Sequence, residues 1–363
     1  MRKEGEVLMA KQIKTIGILT SGGDAPGMNA AIRAVVRTAI NKGLKVKGIQ
    51  KGYNGLINEE IIDMDKRSVA DIIQRGGTIL YTARCMEFMT PEGQKKGAEV
   101  CKKHGIDGIV VIGGDGSMNI VSNYCRGTDV RVIGVPKTID NDTPITEFSV
   151  GFQTACQVCT TAIDSLELTA RSHSRALILE VMGRDAGHLA MHSALAGGAD
   201  VCLVPEIPYK IDSVIKKLKD VKASGRNHAI IVVSEGIKTE DGSHLSGAQN
   251  LVGEAVYGGI GDYLSNEINQ RYKEFQTRVT KLGHVQRSGT PTAFDRLLGS
   301  VFGAKAVELL AKGEHNKMVA WRDGHVQAYA LEDVVKEGTT LLNVHSDFVK
   351  AAECLGMYIG ETK

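Results

Sequence analysis

A carboxylate set among glycines, where an apolar run gives way to a helix, can hold a phosphate group and its metal ion together. The chain offers this pattern twice. The first segment reads Thr20-Ser21-Gly22-Gly23-Asp24-Ala25-Pro26-Gly27-Met28-Asn29. Gly22 and Gly23 leave backbone N–H groups unshielded by a Cβ, and the helix start beyond them adds a dipole that favours an anion. Pro26 and Asn29 suit a helix entry. The second segment reads Ile112-Gly113-Gly114-Asp115-Gly116-Ser117. Here Asp115 suits a Mg²⁺–phosphate unit while backbone amides approach the phosphate oxygens. Neither loop has the G-x-x-x-x-G-K-S/T spacing of a Walker-type loop.

A third segment, Pro136-Lys137-Thr138-Ile139-Asp140-Asn141-Asp142, places two carboxylates two residues apart. Their mutual repulsion raises the pKa of one and fits it to act as a base. Phosphoryl transfer to an alcohol needs such a base, together with cations that neutralise the moving group. Arg171, His173 and Arg175, then Met182-Gly183-Arg184, then Arg278 with His284-Val285-Gln286-Arg287, are candidates to grip an acceptor phosphate through bidentate contacts. Taken singly, each loop also has a reading as an ordinary turn, and any one arginine is more often a solvated surface residue. Their combination points to phosphoryl transfer onto a hydroxyl of a small phosphorylated metabolite, a sugar phosphate above all.

Elements that would position these loops alternate along the chain. Strands are expected at Thr15–Thr20, Leu44–Ile49, Gly108–Ile112, Val130–Val135, Ala176–Val181, Val201–Val204 and Ala229–Ser234. Helices are expected at Asn29–Lys42, Gly93–His104, Phe152–Thr169, Ile211–Ser224, Leu251–Tyr272 and Thr292–Leu310. The strands are continuous apolar runs, as in parallel sheets covered on both faces. This alternation predicts an α/β fold with doubly wound, Rossmann-like units, whose ligands bind beyond the carboxyl ends of strands. A boundary is expected near Gly151. Thr239–Gly247 is polar and glycine-bearing, and reads as an exposed insertion.

Bulk composition narrows the class. With 363 residues, 42% hydrophobic and 24% charged, the chain has material for about two domains. Its 44 basic and 42 acidic residues leave no field to attract nucleic acid or a membrane surface, so neither is expected as a partner. Residues 1–14 lack the apolar run of a signal peptide, and no apolar stretch approaches the ~18–20 residues of a membrane span. Seven scattered cysteines, including a lone Cys156/Cys159 pair read as structural, fit reduced thiols in the cytoplasm.

In order and spacing from Ile16 to Leu310, these segments together resemble the 6-phosphofructokinase family. The glycine loop around Asp115 alone would also fit NAD kinases and diacylglycerol kinases, which lack the Thr-Ile-Asp-Asn-Asp and His-x-Gln-Arg elements in this arrangement. The resemblance implies two Rossmann-like domains with mainly parallel sheets. One comprises residues 1–151 plus about 287–338 and binds the donor; the other comprises 152–286 plus about 339–363 and binds the sugar phosphate. It implies glycolytic phosphorylation of fructose 6-phosphate at its 1-hydroxyl by ATP–Mg²⁺, giving fructose 1,6-bisphosphate and ADP. Asp140 is then the general base, supported by Asp142, with Thr138 positioning the sugar and Arg84 and Gly23 contacting the transferring group. Gly22, Gly23, Tyr53, Arg84, Cys85, Gly114, Asp115, Gly116, Ser117 and Lys137 fall to the donor, and Asp115 to the metal. Arg175, Met182, Gly183, Arg184, Glu235, Arg278, His284 and Arg287 fall to the sugar phosphate. Family members supply the equivalents of Arg175 and Arg278 from a neighbouring subunit, so a homotetramer with shared sites is implied.

Two departures bear on donor and regulation. Pyrophosphate users in the family carry Asp at the position of Gly116 and Lys at that of Lys137; this chain combines Gly116 with Lys137. Gly116 leaves space for a nucleotide and favours ATP. A pyrophosphate-dependent phosphotransferase and a non-catalytic phosphometabolite sensor stand as alternatives, and sedoheptulose 7-phosphate stays open as an acceptor. Arg33, Arg37 and Arg226 match the bacterial effector site, but Lys66, Glu167 and Ser224 replace its other cations. Weakened control by ADP and phosphoenolpyruvate follows from that replacement.

Overall fold

Short β-branched runs pair side by side because each buries both faces, and the helices between them wind back over those faces. The computed structural model describes residues 13–245, 248–249 and 255–361. The first half runs β1 (Thr15–Thr20), α1 (Met28–Asn41), β2 (Lys45–Ile49), α2 (Gly52–Ile57), β3 (Ile61–Met64), α3 (Pro91–Lys103), β4 (Gly108–Gly113), α4 (Asp115–Gly127), β5 (Arg131–Thr138) and β6 (Val150–Gly151). There follow α5 (Phe152–His173), β7 (Arg175–Val181), α6 (His188–Ala196), β8 (Val201–Leu203), α7 (Ile211–Ala223), β9 (Ala229–Ser234), β10 (Ala248–Gln249) and β11 (Ala255–Val256). The chain closes with α8 (Ile260–Arg271), β12 (Gln276–Lys281), α9 (Ala293–Ala311), β13 (Lys317–Arg322), β14 (His325–Ala330), α10 (Leu331–Glu337) and α11 (Asp347–Cys354).

Two main sheets result. The larger has the order β14-β13-β5-β4-β1-β2-β3 with β6 beside β5, and the smaller has the order β12-β7-β9-β8. Pairing is parallel in both, except at the edges where β3 joins β2 and β14 joins β13. Every residue of β1, β4 and β9 is buried, as strands covered on both faces require. The fold class is therefore the one the sequence predicts.

Register decides where the glycine loops end up. Thr20 pairs with Ile112 across β1 and β4, and Ile112 pairs with Val135 across β4 and β5. All three strands run the same way, so the segments that follow them emerge together at one edge.

The chain leaves the larger sheet through β6. Gly151 takes φ 108° at the entry to α5. Asp295 of α9 caps that entry, accepting the Gly151 N–H at 2.9 Å, the Thr154 N–H at 2.7 Å and the Thr154 hydroxyl at 2.5 Å. Helices α9 and α10 and strands β13 and β14 return to the larger sheet. The last segment joins the smaller one, where Cys202 N–H donates to the Tyr358 carbonyl at 2.9 Å.

Several elements differ from the sequence expectation. The helix placed at 251–272 begins only at Ile260, because Gly258 and Gly259 take φ 143° and 96°, outside helical space; residues 251–254 lie outside the described ones. Strand β12 escapes an apolar-run reading because it lies at the sheet edge with Thr277 its one buried residue. Helix α4 starts inside the Gly114-Asp115-Gly116 loop itself. In the predicted 239–247 insertion, residues 240–245 are exposed around a turn in which Thr239 and Ser243 bond Asp241; residues 246–247 lie outside the described ones.

Candidate active site

At the shared edge, the first glycine loop is tied to the other two by side chains. The Ser117 hydroxyl donates to the Ser21 hydroxyl at 2.9 Å, and Thr82 donates to the Gly22 carbonyl at 2.7 Å. Lys137 turns inward, donating to the Ser21 carbonyl at 3.1 Å and to the Gly23 carbonyl. Burial pushes its ammonium down to about 8, and the Arg287 charge adds to the shift. Gly23 lets the Arg287 guanidinium lie close: a Cβ at that position would sit 2.4 Å from Arg287 Nη1 and push the guanidinium aside. Arg287 also donates to the Asp24 carbonyl at 3.2 Å. Ser21 was missed by sequence reasoning, since nothing in its type marks it as the residue both other loops touch.

Between these loops lie the carboxyls. Asp140 is 5% exposed, with Thr138 Oγ1 3.5 Å from its Oδ2, and the Thr138 hydroxyl accepts the Asp140 N–H at 3.1 Å. Asp140 Oδ1 and Asp142 Oδ1 are buried without hydrogen-bond partners. Burial raises the Asp140 pKa, opposed by the positive charges of Arg287, Arg184 and Lys137. Burial, then the neighbouring Asp140 and Asp115, pushes Asp142 up to about 7. Asp115 is raised by burial and held back by Arg184. The hairpin is fixed from behind by Asn141, which sits at φ 55° and bonds the Glu147 carbonyl and the Ser149 N–H at 3.0 and 2.9 Å.

Beyond β7, Gly183 takes φ 136° and Arg184 φ 51°, which turns the loop back toward β9. Arg184 N–H lies 3.4 Å from the Glu235 carboxylate, and burial followed by Asp140's charge pushes Glu235 up to about 7. Arg184, Glu235 and Arg287 thus join the Asp140 group, with exposed His284 on the same short turn as Arg287.

Other sequence candidates fall elsewhere. Tyr53 is 4% exposed and stacks on Phe88 at 4.3 Å, so it backs the donor loops from within the core. Arg84 is exposed, and Cys85 is half-buried with its thiol raised by burial. Arg175 opens β7 at the strand end opposite Met182–Arg184, and Arg278, mid-way along β12, pairs with Leu177 and donates to the Thr277 carbonyl. Seven residues at ~3.3 Å each separate Arg175 from Met182 by roughly 23 Å. Arg175 therefore does not reach the Asp140 group. Among the effector-type positions, Arg226 is held by Asp200 at 2.5 and 3.2 Å, and Glu167 lies 3.5 Å from His228.

The carboxyl group suits a metal ion brought in on phosphates. No preassembled cluster of three or more His, Cys, Asp or Glu ligands occurs among the described residues. Mg²⁺ uses one or two carboxylates and completes its shell with water and substrate phosphate. Asp115, half-buried with its carboxyl raised, is the donor such an ion would satisfy, which leaves the orphaned oxygens of Asp140 and Asp142 free of it.

The family model described as phosphofructokinase matches residues 15–310. The chain belongs to the phosphofructokinase family. A protein named ATP-dependent 6-phosphofructokinase from Halalkalibacterium halodurans is 50% identical over 315 residues, covering 85% of this chain and 92% of that protein. One of the same name from Thermoanaerobacter sp. (strain X514) is 48% identical over 314 residues, covering 86% of this chain and 91% of that one. The Pichia pastoris phosphofructokinase in the T-state superposes with a TM-score of 0.80 at 32% identity over 98% of this chain. This chain spans 40% of that longer subunit. A pyrophosphate-dependent phosphofructokinase from Marinobacter aquaeolei shares the fold, with a TM-score of 0.79 at 24% identity over 96% of this chain and 93% of that one.

In this phosphofructokinase, two carboxyls pushed up to about 7 make a testable link to stability. Both hold a proton more tightly folded than unfolded. Their contribution is therefore full below the ordinary carboxylate range and lost as pH rises through about 7. Burial of His188, pushed down to about 4, acts in the opposite sense on the acid side, so the informative quantity is a difference between variants. The stability gained by Asp142→Asn or Glu235→Gln over the parent should grow from about pH 5 to about pH 8 in urea unfolding of ligand-free protein. A gain that stays flat over that range would show that neither ionisation strains the fold.

Proposed function

We propose that the chain phosphorylates fructose 6-phosphate at its 1-hydroxyl with ATP–Mg²⁺, yielding fructose 1,6-bisphosphate and ADP in glycolysis. The observation that carries this reading is the convergence of both glycine loops and the Asp140 hairpin at the carboxyl ends of β1, β4 and β5. The unpartnered Oδ1 of Asp140 receives the hydroxyl proton as the sugar oxygen bonds to the γ-phosphorus and the bond to ADP breaks. Asp142 supports the base, and Thr138 orients it. Arg287, whose guanidinium lies against Gly23, with Arg84 from the exposed side, offsets charge that develops on the transferring group. Asp115 would hold a Mg²⁺ ion, which when bound would supply charge neutralisation to the phosphates. Met182, Gly183, Arg184, Glu235, His284 and Arg287 form the acceptor side.

The division of labour follows the two sheets. The larger, with residues 1–151 and about 287–338, handles the donor; the smaller, with 152–286 and about 339–363, handles the sugar. A homotetramer belongs to the same reading, supported by Arg175 opening β7 about seven residues before Met182, where it is free to serve a neighbour's site. A cytoplasmic location is supported by seven free cysteines and by the lack of a helix long and apolar enough to cross a membrane among the described residues.

ATP is favoured as donor on two grounds. Relatives at 46–50% identity are named ATP-dependent, and a Cβ at Gly116 would meet nothing within 4 Å. Parallel assays with ATP–Mg²⁺ and pyrophosphate–Mg²⁺, on protein sized by sedimentation, test the reading. Turnover is expected with ATP in an oligomer. Turnover with pyrophosphate alone, or full activity in a monomer, would overturn the corresponding part.

A further inference from the structure

One fully buried amide has no part in the reaction outlined above. Gln286 is 0% exposed and lies within the short turn Gly283–Arg287, between His284 and Arg287. Its Oε1 accepts the Met182 N–H at 3.0 Å and the Cys159 thiol at 3.3 Å, and its Nε2 donates to the Gly283 carbonyl at 2.9 Å. A side-chain amide oxygen has two acceptor positions, and both are filled. The three partners belong to three separate pieces of the fold: the loop leaving β7, helix α5 and the turn itself.

What this amide joins is more telling than how well it is bonded. Met182 N–H is the first backbone group past β7, and it launches the Gly183–Arg184 reversal at φ 136° and 51°. The far side of that loop is closed by Ala186 N–H on the Gly183 carbonyl at 3.0 Å and by Gly187 N–H on Glu206 at 2.8 Å. On the other side of the amide, the very next residue is Arg287, whose guanidinium lies against Gly23 and the Asp24 carbonyl. A slip of the turn relative to β7 would therefore displace Arg287 from the donor loop and move it away from Met182–Arg184 at the same time. Volume alone does not set this relation, because an apolar side chain of equal size would pack there without choosing a register. The hydrogen bonds do.

We propose that Gln286 is a positioning residue for the acceptor. Its amide locks the Gly283–Arg287 turn to Met182, so that His284, Arg287 and the Met182–Arg184 loop present one preformed surface to the sugar phosphate. The inference rests on the function proposed above. Preorganisation of this kind acts on the affinity and orientation of one substrate, and a displacement of about 1 Å can cost roughly 100-fold in rate.

Two substitutions separate positioning from packing. Gln286→Met keeps the volume and removes all three hydrogen bonds. Gln286→Glu keeps the acceptors and sets a carboxylate against the Gly283 carbonyl. Both should raise the KM for fructose 6-phosphate roughly 10- to 100-fold, with the KM for ATP within about twofold of the parent. Calorimetric binding of fructose 6-phosphate without nucleotide should weaken in parallel. Cys159→Ala, which removes only the thiol donor, should leave both KM values unchanged. Several results would overturn the proposal: an unaltered fructose 6-phosphate KM in either folded variant, equal changes in both KM values, a Cys159→Ala enzyme that reproduces the effect, or failure of both Gln286 variants to fold. If the parent enzyme itself shows no fructose 6-phosphate phosphorylation, the proposed function falls first; a fully active parent beside unaffected variants removes this inference alone.

Discussion

Asp140→Asn should lower kcat roughly 100- to 10,000-fold while fructose 6-phosphate still binds within a few-fold of the parent, the range expected for loss of a general base. The substitution keeps the shape and the Thr138 contact but removes the ability to take a proton. Asp140 is the right residue for so large an effect because it is nearly fully buried with one oxygen unpaired. Its ionised form is held by the field of Arg287, Arg184 and Lys137 and by the Thr138 hydroxyl. Asparagine in its place leaves that cationic field intact for phosphate, so binding should survive. Rapid-quench kinetics with calorimetry separates the two quantities. A variant as fast as the parent would remove Asp140 from the chemistry. A parent that binds the sugar phosphate without any turnover would instead favour a sensor.

Gly116→Asp should cut kcat/KM for ATP about 10- to 1,000-fold. The position is the second residue of α4, where an added Cβ meets no protein atom within 4 Å, so the variant should fold as the parent does. On the proposed reading, the new carboxylate would crowd the α-phosphate of a bound nucleotide. At about 4 Å, repulsion between unit charges is ~1–4 kcal/mol for effective dielectrics of 80 to 20, and each 1.4 kcal/mol is tenfold. Pyrophosphate lacks the α-phosphate, so any turnover it supports should be spared. Steady-state kinetics with both donors reads the result, and ATP turnover equal to the parent's would undo the steric and electrostatic argument for Gly116. Lys137, in contrast, cannot decide the donor alone: its ammonium is buried and bonded to the Ser21 and Gly23 carbonyls. It staples the acidic hairpin to the first glycine loop.

Much of the site could be read before any fold was known, for a physical reason. Glycine-rich loops with an aspartate, and closely spaced carboxylates, carry local constraints that residue type expresses directly. The apolar runs Thr15–Thr20, Gly108–Gly113 and Ala229–Ser234 likewise announce buried strands. Elements that compromise between two environments were harder. Strand β12 lies at a sheet edge with one buried residue, α6 is apolar on nearly every side, and the antiparallel pair β13 and β14 closes a sheet whose other members lie far back in sequence.

The sequence by itself determined the chemistry proposed: candidate anion cradles at Gly22–Gly23 and Gly114–Gly116, a candidate base at Asp140, and a parallel α/β frame to hold them. Tertiary structure alone decided which groups share a space. It set Arg287 against the Gly23 loop across 264 residues of chain, turned Lys137 inward as a staple, and left Arg175 at the far end of β7 from Met182. The reason is that residue type fixes what a side chain can do, whereas strand register and loop closure fix where it does it; those depend on contacts between segments that no local pattern records.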